Sequence, residues 1–486
     1  MKLKIHHILF LCLLSLAACN EKIEQPDLPP EEDEKPGQND GTQDTPDSPS
    51  WPDDAIGKEW VWDDSYIPEI KIDISRSQWN QLLIDYDKNA PSSAYFKCNV
   101  VFEKNGTQDN IPNAGIRVKD NEDRSRPAGN TGEYYNGIFS EWHQSNFEID
   151  FQRYDDKQSL RYVNGLYLKS CTFDPSYSRE RFCHDLFRKL DIWTIAENIY
   201  CRLSIQVEGD EEPAYLGVYQ MIEPINQDYL LDRAGKFKNT SGNLWKCSNG
   251  ASLSNTNNPS TGIDDGTGTS FSYQLVTTSN SLSSARQQLI DFMTGIKLKT
   301  NDEFHTWIQE VCDVELLLRT YATNVTVGMC NDYWNAGNNY YLYFDSASAS
   351  SYKVYFIPYN YEMSLGNSRS DLIKDTAIVD PYNWGRKNNP LISRLLAFED
   401  FRRYYTSALQ VLTDSRNDLF SMTYAAECIS GHMSRIAHYT DNITGTNMTP
   451  EDKPSVLSYS KSYKLTTTDN NSFFKKRIDA IYGFIY

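Results

Sequence analysis

The sequence lacks the short motifs that mark the commonest metal sites and hydrolytic sites. Its seven histidines form no HExxH pair, and its ten cysteines form no CxxC pair. These absences argue against a zinc protease site, a structural zinc site and a thioredoxin-like function. The nucleophile elbow GxSxG is also absent, which disfavours the common acyl-transfer hydrolases. No internal repeat is evident, so a repeat architecture is not indicated.

Long apolar runs are missing as well. The N-terminal run, residues 8–16, is far shorter than the ~20 apolar residues that a membrane-spanning helix needs. It follows two lysines and leads through Leu-Ala-Ala to Cys19, and this order of basic start, apolar centre and small-residue finish is typical of a lipoprotein signal. We expect residues 1–18 to be removed and Cys19 to carry the lipid. A short buried helix is the alternative for the same run.

Residues 20–54 contain few apolar side chains. They hold twelve acidic residues, two lysines and seven prolines, a net charge of −10 in a chain of −19. Such a segment cannot bury enough apolar surface to offset its ordering entropy, so we expect residues 19–58 to be a disordered tether. The lipid and a charged spacer of ~35 residues indicate a body held at a cell-envelope membrane, on its periplasmic or its outer face. The acidic balance disfavours nucleic acid as a partner.

The body beyond the tether contains eight cysteines: Cys98, Cys171, Cys183, Cys201, Cys247, Cys312, Cys330 and Cys428. In an oxidising envelope, cysteines of this kind pair as disulfides, but the sequence gives no connectivity. Small buried thiols are the alternative, and the sequence leaves both open.

The body exceeds 400 residues, which is too long for one simple core and predicts two lobes. In residues 59–247, short runs of alternating, β-branched and aromatic residues predict a β-rich first lobe. Two helices interrupt these runs. One is predicted to begin at Ser75, which has capping-box spacing to Gln78, and the other at Asp174, which precedes a proline.

The second half of the body has a different pattern. Residues 248–282 are rich in serine, asparagine, glycine and threonine and predict a flexible insertion. Residues 283–486 show mainly helical periodicity, with helices predicted over residues 282–298, 302–327, 390–412, 421–440 and 473–486. Residues 340–344 and 354–357 predict one hairpin. A β-rich lobe followed by a mostly helical lobe is the layout of a protein kinase, so the sequence predicts an α+β, two-lobed, protein-kinase-like fold.

Five segments carry a more specific signal: GLYLKSCTFDPSYSRERFCHDLFRKL, YLGVYQMIEPINQDYL, NDYWNAGNNYYLYFD, FIPYNYEMSLG and PLISRLLAFEDFRRYY. In this order they resemble the CotH family of spore-coat kinases and its bacterial envelope relatives, over roughly residues 67–405. The resemblance implies an atypical kinase that uses ATP with Mg²⁺ or Mn²⁺ to phosphorylate protein side chains outside the cytoplasm. It also implies an envelope or surface protein as substrate or partner.

The resemblance implies roles for two residues of the third segment. Asp332 matches the family's catalytic aspartate and is the expected base, because phosphoryl transfer needs an acid that orients the acceptor hydroxyl and takes its proton. Asn339 matches the asparagine before the YYLY strand and is the expected loop anchor or metal ligand. The alternative for Asp332 is an Asx turn in a connector between helix and strand.

In kinases, a strand lysine held by a helix glutamate grips the nucleotide phosphates. Lys169 precedes the predicted second helix and Glu180 lies inside it, so this pair is the candidate here. Lys119 is the rival lysine, because the family usually has a basic residue at its place. For either lysine, a surface side chain with its stem on apolar neighbours is the alternative. Glu223 matches a family glutamate at the junction of the lobes, and its role is left open.

The stretch FIPYNYEMSLG, residues 356–366, departs from the family pattern Pro-Trp-Asp-x-Asp, in which one or both aspartates carry magnesium. Asn360 and Glu362 stand at the two acid positions. Magnesium usually takes one or two carboxylates together with phosphate oxygens, so an amide in place of one acid weakens the site. The deficit in rate is about a hundredfold or more where Asn360 holds the principal metal position. Activity survives where Glu362 holds it.

Residues 128–137, AGNTGEYYNG, form a glycine-rich stretch with the spacing GxxGxxxxG. This spacing matches neither a P-loop nor the kinase GxGxxG pattern. Two interpretations remain: a loop that covers phosphates and a surface hairpin loop. The departure from both known spacings favours the surface loop.

Three functions remain open on the sequence. The first is an active kinase, with Asp332 as base, Glu362 as main magnesium ligand and Asn339 and Asn360 assisting. The second is a kinase-shaped binding protein that has lost turnover and recognises a protein or glycan partner at the cell surface. The third is a structural lipoprotein or glycan binder, for which thirty-two tyrosines and ten tryptophans are a weak indication, because aromatic residues are more often core.

Overall fold

A computed structural model describes residues 57–88, 93–119, 125–254, 262–267, 271–348, 351–368, 372–441, 443–444, 449–452 and 463–486. These residues belong to one compact unit. The expected signal peptide, the expected lipidation site Cys19 and all but the last two residues of the expected tether lie outside the described residues. Within the described ranges, no helix is both long enough and apolar enough to cross a membrane.

The described part of the chain contains eleven strands: β1 (Glu69–Ile74), β2 (Phe96–Lys104), β3 (Thr107–Val118), β4 (Phe147–Asp150), β5 (Gly165–Ser170), β6 (Asn198–Val207), β7 (Ala214–Ile222), β8 (Asn243–Cys247), β9 (Tyr273–Thr277), β10 (Tyr340–Ser348) and β11 (Ser351–Pro358). The same part contains twelve α-helices: α1 (Lys58–Trp62), α2 (Arg76–Asp87), α3 (Arg179–Lys189), α4 (Gln227–Asp232), α5 (Leu282–Leu298), α6 (Asn301–Val311), α7 (Val314–Thr326), α8 (Tyr333–Ala336), α9 (Pro390–Leu395), α10 (Glu399–Thr413), α11 (Met422–Ile436) and α12 (Phe473–Ile485). The fold is therefore of the α+β class.

Seven strands close into a barrel in the order β1-β2-β3-β4-β5-β7-β6. Apolar side chains such as Ile70 and Ile72 alternate along the strands, so one face of the barrel wall forms a core of its own. The opposite face of β4 and β5 carries Glu148 and Tyr167, which pair across the two strands, and Lys169 two residues further along. Tyr167 belongs to the other large core, which contains most of the helices. This outer face of the barrel is therefore the one that packs toward the helices.

The other four strands form a sheet in the order β11-β10-β8-β9. The hairpin predicted from the sequence is confirmed as β10 and β11. Two strands differ from expectation: β8 falls in the predicted first lobe, and β9 falls in the predicted flexible insertion. Both join this sheet because Trp245 and Tyr273 are fully buried there, and because β10 gains backbone partners on its second edge. Residues 255–261 and 268–270 of the predicted insertion lie outside the described residues.

The helix predicted to begin at Asp174 begins five residues later, at Arg179. Asp174 forms a turn instead, in which its carboxylate accepts a hydrogen bond from the backbone N–H of Arg179 at 2.9 Å. Tyr177 has a left-handed φ of 58°, which an α-helix does not include. By contrast, Ser75 caps α2 as predicted, since its hydroxyl accepts the N–H of Gln78 at 3.2 Å.

Two long predicted helices are each divided in the structure. Residues 302–327 form α6 and α7, because Cys312 is extended and Asp313 begins a new helix by accepting the N–H of Leu316 at 3.0 Å. Residues 390–412 form α9 and α10, with a short break between them. Apolar periodicity alone does not mark such breaks.

Residues 58–64, which we call the strap, join the barrel to the helices. Lys104 of β2, which is 1% exposed, donates hydrogen bonds to three backbone carbonyls of the strap, those of Trp60, Val61 and Asp63. Asp64 at the end of the strap accepts from Arg181 of α3 and from Arg435 of α11, each at 2.8 Å. The strap therefore ties α3 and α11 to the barrel.

All eight cysteines of the body lie in the described part of the chain, where they are thiols rather than disulfides, and seven of them are buried. Burial raises the pKa of thiols such as Cys183 and Cys201, so they stay protonated at neutral pH. Of the two alternatives left open by the sequence, the structure favours small buried thiols.

Candidate active site

Lys169 and Glu180 meet where β5 approaches α3. Lys169 is the second-last residue of β5, and Glu180 lies in the first turn of α3. The Lys169 Nζ lies 2.5 Å from Glu180 Oε2, and both residues are 2% exposed. The expected contact between the two side chains is therefore present. Burial by itself lowers the pKa of Lys169, but Glu180 and Glu362 raise it by more, so its pKa lies above the usual value and the ammonium stays charged.

The loop that follows β11 brings two further oxygens to the same ammonium. Asn360 Oδ1 accepts a hydrogen bond from Lys169 Nζ, and Glu362 Oε2 lies 3.2 Å from it. Lys169 thus contacts oxygens of Glu180, Asn360 and Glu362, and three separated pieces of chain converge on one buried cation. The resulting cluster has two carboxylates and one ammonium.

Asn339 lies beside Asn360 at the edge of this cluster. The Asn360 amide donates to Asn339 Oδ1 at 3.5 Å, which is a long hydrogen bond. Asn360 has φ 61° and Asn339 has φ 53°. Both backbones are left-handed, a conformation that asparagine, aspartate and glycine adopt more readily than other residues. An aspartate therefore fits the backbone at position 360 as well as asparagine does.

Asp332 is the N-cap of the short helix α8. Its Oδ1 accepts the N–H of Asn335 at 2.9 Å, and its Oδ2 accepts from the side-chain amide of Asn324 at 3.2 Å. Asp332 therefore has a local capping role of the kind that the Asx-turn alternative expects, and this role leaves its second carboxylate oxygen to another partner. Asp332 is 2% exposed, and this burial raises its pKa to about 7. The carboxyl group consequently titrates near neutral pH, where a general base is most effective.

Sequence reasoning gave no role to Asn324 and Tyr361, which connect Asp332 to the loop. The Tyr361 hydroxyl donates to Asn324 Oδ1 at 2.6 Å, and the amide of the same Asn324 reaches Asp332. Tyr361 lies between Asn360 and Glu362 in the sequence. The partners of Asn324 lie 8 and 37 residues away, so sequence spacing does not reveal these contacts. The available signal for Asn324 was a polar residue on the buried side of an apolar helix.

The structure does not place Lys119 with the helix glutamate. Lys119 Nζ lies 2.5 Å from Glu148 Oε2, and Arg117 Nη2 lies 2.8 Å from the same oxygen. Burial raises the pKa of Glu148, but Lys119 and Arg117 outweigh this and lower it to about 2. Lys119 is therefore part of a separate ion-pair cluster on β3 and β4, one strand away from β5. Of the two candidate lysines, Lys169 contacts Glu180 and the rival Lys119 does not.

Glu223, whose role the sequence left open, lies just after β7. Its two carboxylate oxygens accept from Arg233 at 2.9 and 2.8 Å, and one also accepts the N–H of Glu197 at 3.0 Å. These contacts fix the connection between β7 and α4. The structure therefore gives Glu223 a structural role at this connection.

The glycine-rich stretch, residues 128–137, belongs to the connection between β3 and β4. Asp87 at the end of α2 accepts from the side chain of Arg126 at 2.9 Å and from the N–H of Gly132 at 3.0 Å. Residues 130–134 are mostly exposed. The stretch is therefore an exposed loop fastened to α2, as in the surface-loop alternative.

The oxygens around Lys169 form a limited donor set for a metal ion. Within the described ranges, no group of three or more histidine, cysteine, aspartate or glutamate side chains is arranged to hold a metal. Glu362 supplies one carboxylate of the loop, and Asn360 and Asn339 supply amide oxygens. Such a set fits a magnesium ion that brings phosphate oxygens of its own. It does not fit a tightly held metal without a nucleotide.

A cavity of about 300 Å³ lies along the outer face of the barrel beside the β7–α4 connection. Its lining includes Glu148 and Gly165 from the barrel and Pro224 and Asn226 from the connection. Gly165 begins the strand that carries Lys169. At a rise of ~3.3 Å per residue, the cavity end of β5 lies about 13 Å from Lys169.

The comparison with protein families gives one match. The family model described as CotH kinase protein matches residues 126–481, which is well over half of the chain and contains β4–β11, α3 and the loop that bears Asn360 and Glu362. A search of the curated proteins finds no match. By the extent of the family match, the chain belongs to the CotH kinase protein family.

Proposed function

We propose that this protein is a CotH-like kinase of the cell envelope that transfers phosphate from ATP to protein side chains. The observation that carries the proposal is the buried Lys169–Glu180 contact, with Asn360 and Glu362 at 3.2 Å or less from the same ammonium. In this proposal the barrel is the first lobe of an atypical kinase fold, and the helices with the second sheet are the other lobe. Cys19 carries the lipid anchor.

The nucleotide is proposed to lie beside β5, between the barrel and the helices, with Tyr167, which is 3% exposed on this face, moving aside. The cavity at Gly165 takes the nucleoside, and Lys169 takes the phosphates at the far end of the strand. A span of about 13 Å between the two ends suits an extended nucleoside triphosphate. Lys169 is positioned for this because Glu180 fixes its ammonium in one place.

Asp332 is proposed to act on the acceptor hydroxyl. The acceptor oxygen forms a bond to the γ-phosphorus while the bond from this phosphorus to the bridging oxygen of ADP breaks, and Asp332 takes the hydroxyl proton. Glu362, with Asn360 and Asn339, would hold Mg²⁺ or Mn²⁺. The ion supplies charge neutralisation of the phosphates when it is bound.

A second candidate is a binding protein of the same fold without turnover. It is favoured by the charge balance at Lys169, since the ammonium already contacts the oxygens of Asn360 and Glu362 that a metal needs. It is also favoured by the single loop carboxylate in place of two. Such a protein recognises a protein or glycan partner at the cell surface.

Labelling with ATP separates the two candidates. The full chain, purified in detergent, is incubated with γ-labelled ATP and Mg²⁺ or Mn²⁺, and a kinase is expected to label itself or a generic acceptor protein. Asp332→Asn is expected to remove the label, because asparagine keeps the cap of α8 but cannot take the proton. Absence of labelling together with absence of a nucleotide-induced rise in Tm favours the binding protein.

A further inference from the structure

A buried hydrogen-bond chain joins the loop after β11 to Asp332. Tyr361 on the loop donates through its hydroxyl to Asn324 Oδ1 at 2.6 Å, and Asn324 Nδ2 donates to Asp332 Oδ2 at 3.2 Å. The three residues are 2%, 5% and 2% exposed, in that order. Because these groups are buried, water does not compete for their hydrogen bonds.

The Tyr361 hydroxyl decides which way the Asn324 amide points. An asparagine side chain has one oxygen that accepts and one nitrogen that donates. With the hydroxyl on its oxygen, the Asn324 nitrogen is directed at Asp332. Without the hydroxyl, the buried Asn324 oxygen loses its donor, and the amide nitrogen is no longer held toward Asp332.

Tyr361 is itself held by the helix that carries Glu180. Its ring packs on Phe187 of α3 with centroids 5.0 Å apart and lies edge-on to His184 at 6.3 Å. Its backbone N–H bonds to Glu180. The orientation of Tyr361 therefore depends on the same α3–loop contact that positions Lys169.

We propose that Asn324 is a positioning residue that orients Asp332 and favours its ionised form, and that the Tyr361 hydroxyl controls the orientation of Asn324. This inference rests on the proposed function for the role of Asp332 as base. The inference adds Asn324 on α7 to the site. It also makes the protonation of Asp332 depend on the positions of α3 and the loop after β11.

The side-chain amide of Asn324 is the contact of Asp332 whose orientation a mutation is able to change. In the described part of the chain, the titratable groups that interact electrostatically with Asp332 include Tyr321 on α7, Tyr333 on α8, Tyr361 on the loop and Tyr405 on α10. Burial raises the pKa of each, so they remain neutral at pH 7. A hydrogen bond from Asn324 favours the charged carboxylate, and its loss raises the pKa of Asp332 further above the usual range.

The test compares Tyr361→Phe and Asn324→Leu with the unaltered chain. We expect Tyr361→Phe to leave the nucleotide-induced rise in Tm unchanged, to slow labelling about tenfold at pH 7, and to move the half-maximal pH of labelling upward by about one unit. Asn324→Leu is expected to do the same to a greater extent. Tyr200→Phe is the matched control, because it removes another buried hydroxyl, one that donates to the Tyr177 carbonyl at 2.8 Å, and it is expected to change neither the rate nor the pH profile.

A second readout does not require turnover. The titration of the Asp332 carboxyl carbon is followed by NMR and assigned with Asp332→Asn, and Tyr361→Phe is expected to shift its midpoint upward by about one pH unit. An unchanged midpoint and pH profile in a folded Tyr361→Phe protein overturn the inference, even where the unaltered chain labels normally. If the unaltered chain does not label, the proposed function fails, and the NMR midpoint alone decides whether Asn324 positions Asp332.

Discussion

At the scale of single residues, the site is organised around one ammonium group. Lys169 contacts oxygens of Glu180 on α3 and of Asn360 and Glu362 on the loop after β11. The pairing of Lys169 with Glu180 follows from a strand lysine and a helix glutamate in segments that resemble the family. The asparagine at 360 is visible in the sequence, but its contact with Lys169 is not, because the two residues are 191 positions apart.

The amide at position 360 gives a direct test of the metal proposal. Asn360→Asp restores the second acid of the loop on a backbone that already has φ 61°, so the change adds charge without new strain. We expect the affinity for Mg²⁺-ATP to rise about tenfold, measured by calorimetric titration, because a carboxylate attracts the divalent ion more strongly than an amide does.

The matched control for this change is Asn105→Asp. Asn105 also has a left-handed backbone, with φ 47°, but it lies in the exposed turn between β2 and β3. This control is expected to leave the affinity unaltered. An equal affinity of Asn360→Asp and the unaltered chain argues against a metal role for position 360.

Removal of the ammonium is expected to affect stability strongly. Lys169→Met takes the positive charge away from two acids that are 2% and 5% exposed, Glu180 and Glu362, and breaking a buried ion pair in this way typically costs about 3–5 kcal/mol in the free energy of unfolding. Urea denaturation measures the loss. In Lys119→Met, Glu148 keeps Arg117 at 2.8 Å, so the loss should be less than half as large. Equal losses in the two variants contradict this account.

At the scale of elements, the sequence predicts the existence of helices and strands better than their ends. The barrel strands, the hairpin and the cap of α2 follow from alternation and from Ser75. The division of α6 from α7 at Asp313 does not, because a new cap interrupts a continuous apolar pattern. The strand β9 is also missed, since a stretch rich in serine and glycine precedes it and its order comes from pairing with β8.

The helix α3 carries Glu180 and is held from its far side by the strap. Asp64→Asn removes the negative charge between Arg181 and Arg435, each 2.8 Å from it. We expect hydrogen exchange of the α3 amides to become about tenfold faster, because local opening of the helix costs less free energy. Asp414→Asn, which alters an exposed pair with Arg416, is expected to leave α3 unchanged. Unchanged exchange in Asp64→Asn contradicts a holding role for the strap.

At the scale of the whole molecule, the resemblance over residues 67–405 and the family match over residues 126–481 agree in most of their extent. The order of the five segments made it possible to identify the family from the sequence, since no single motif in the chain is specific for it. Sequence reasoning does not reach the contacts between the barrel and the helices, including the chain from Tyr361 to Asp332. Such contacts depend on residues brought together by packing rather than by spacing.

The thiols allow a prediction for the molecule as a whole. Because the eight cysteines of the described body are not in disulfides, the Tm is expected to be the same with and without a reducing agent. Thermal unfolding followed by circular dichroism in both conditions makes the comparison. A fall of several degrees on reduction indicates that disulfides support the fold.

The strap also determines how the molecule responds to mechanical load. The strap precedes β1 in the chain, so a force applied from the N-terminal side acts first on the contacts of the strap. These are the hydrogen bonds from Lys104 and the ion pairs of Asp64. Detachment of the strap would loosen α3, and with it the grip of Glu180 on Lys169, while the strands of the barrel are still paired. A pulling force on the N-terminal side of the strap would thus disturb the Lys169–Glu180 contact before the barrel strands separate.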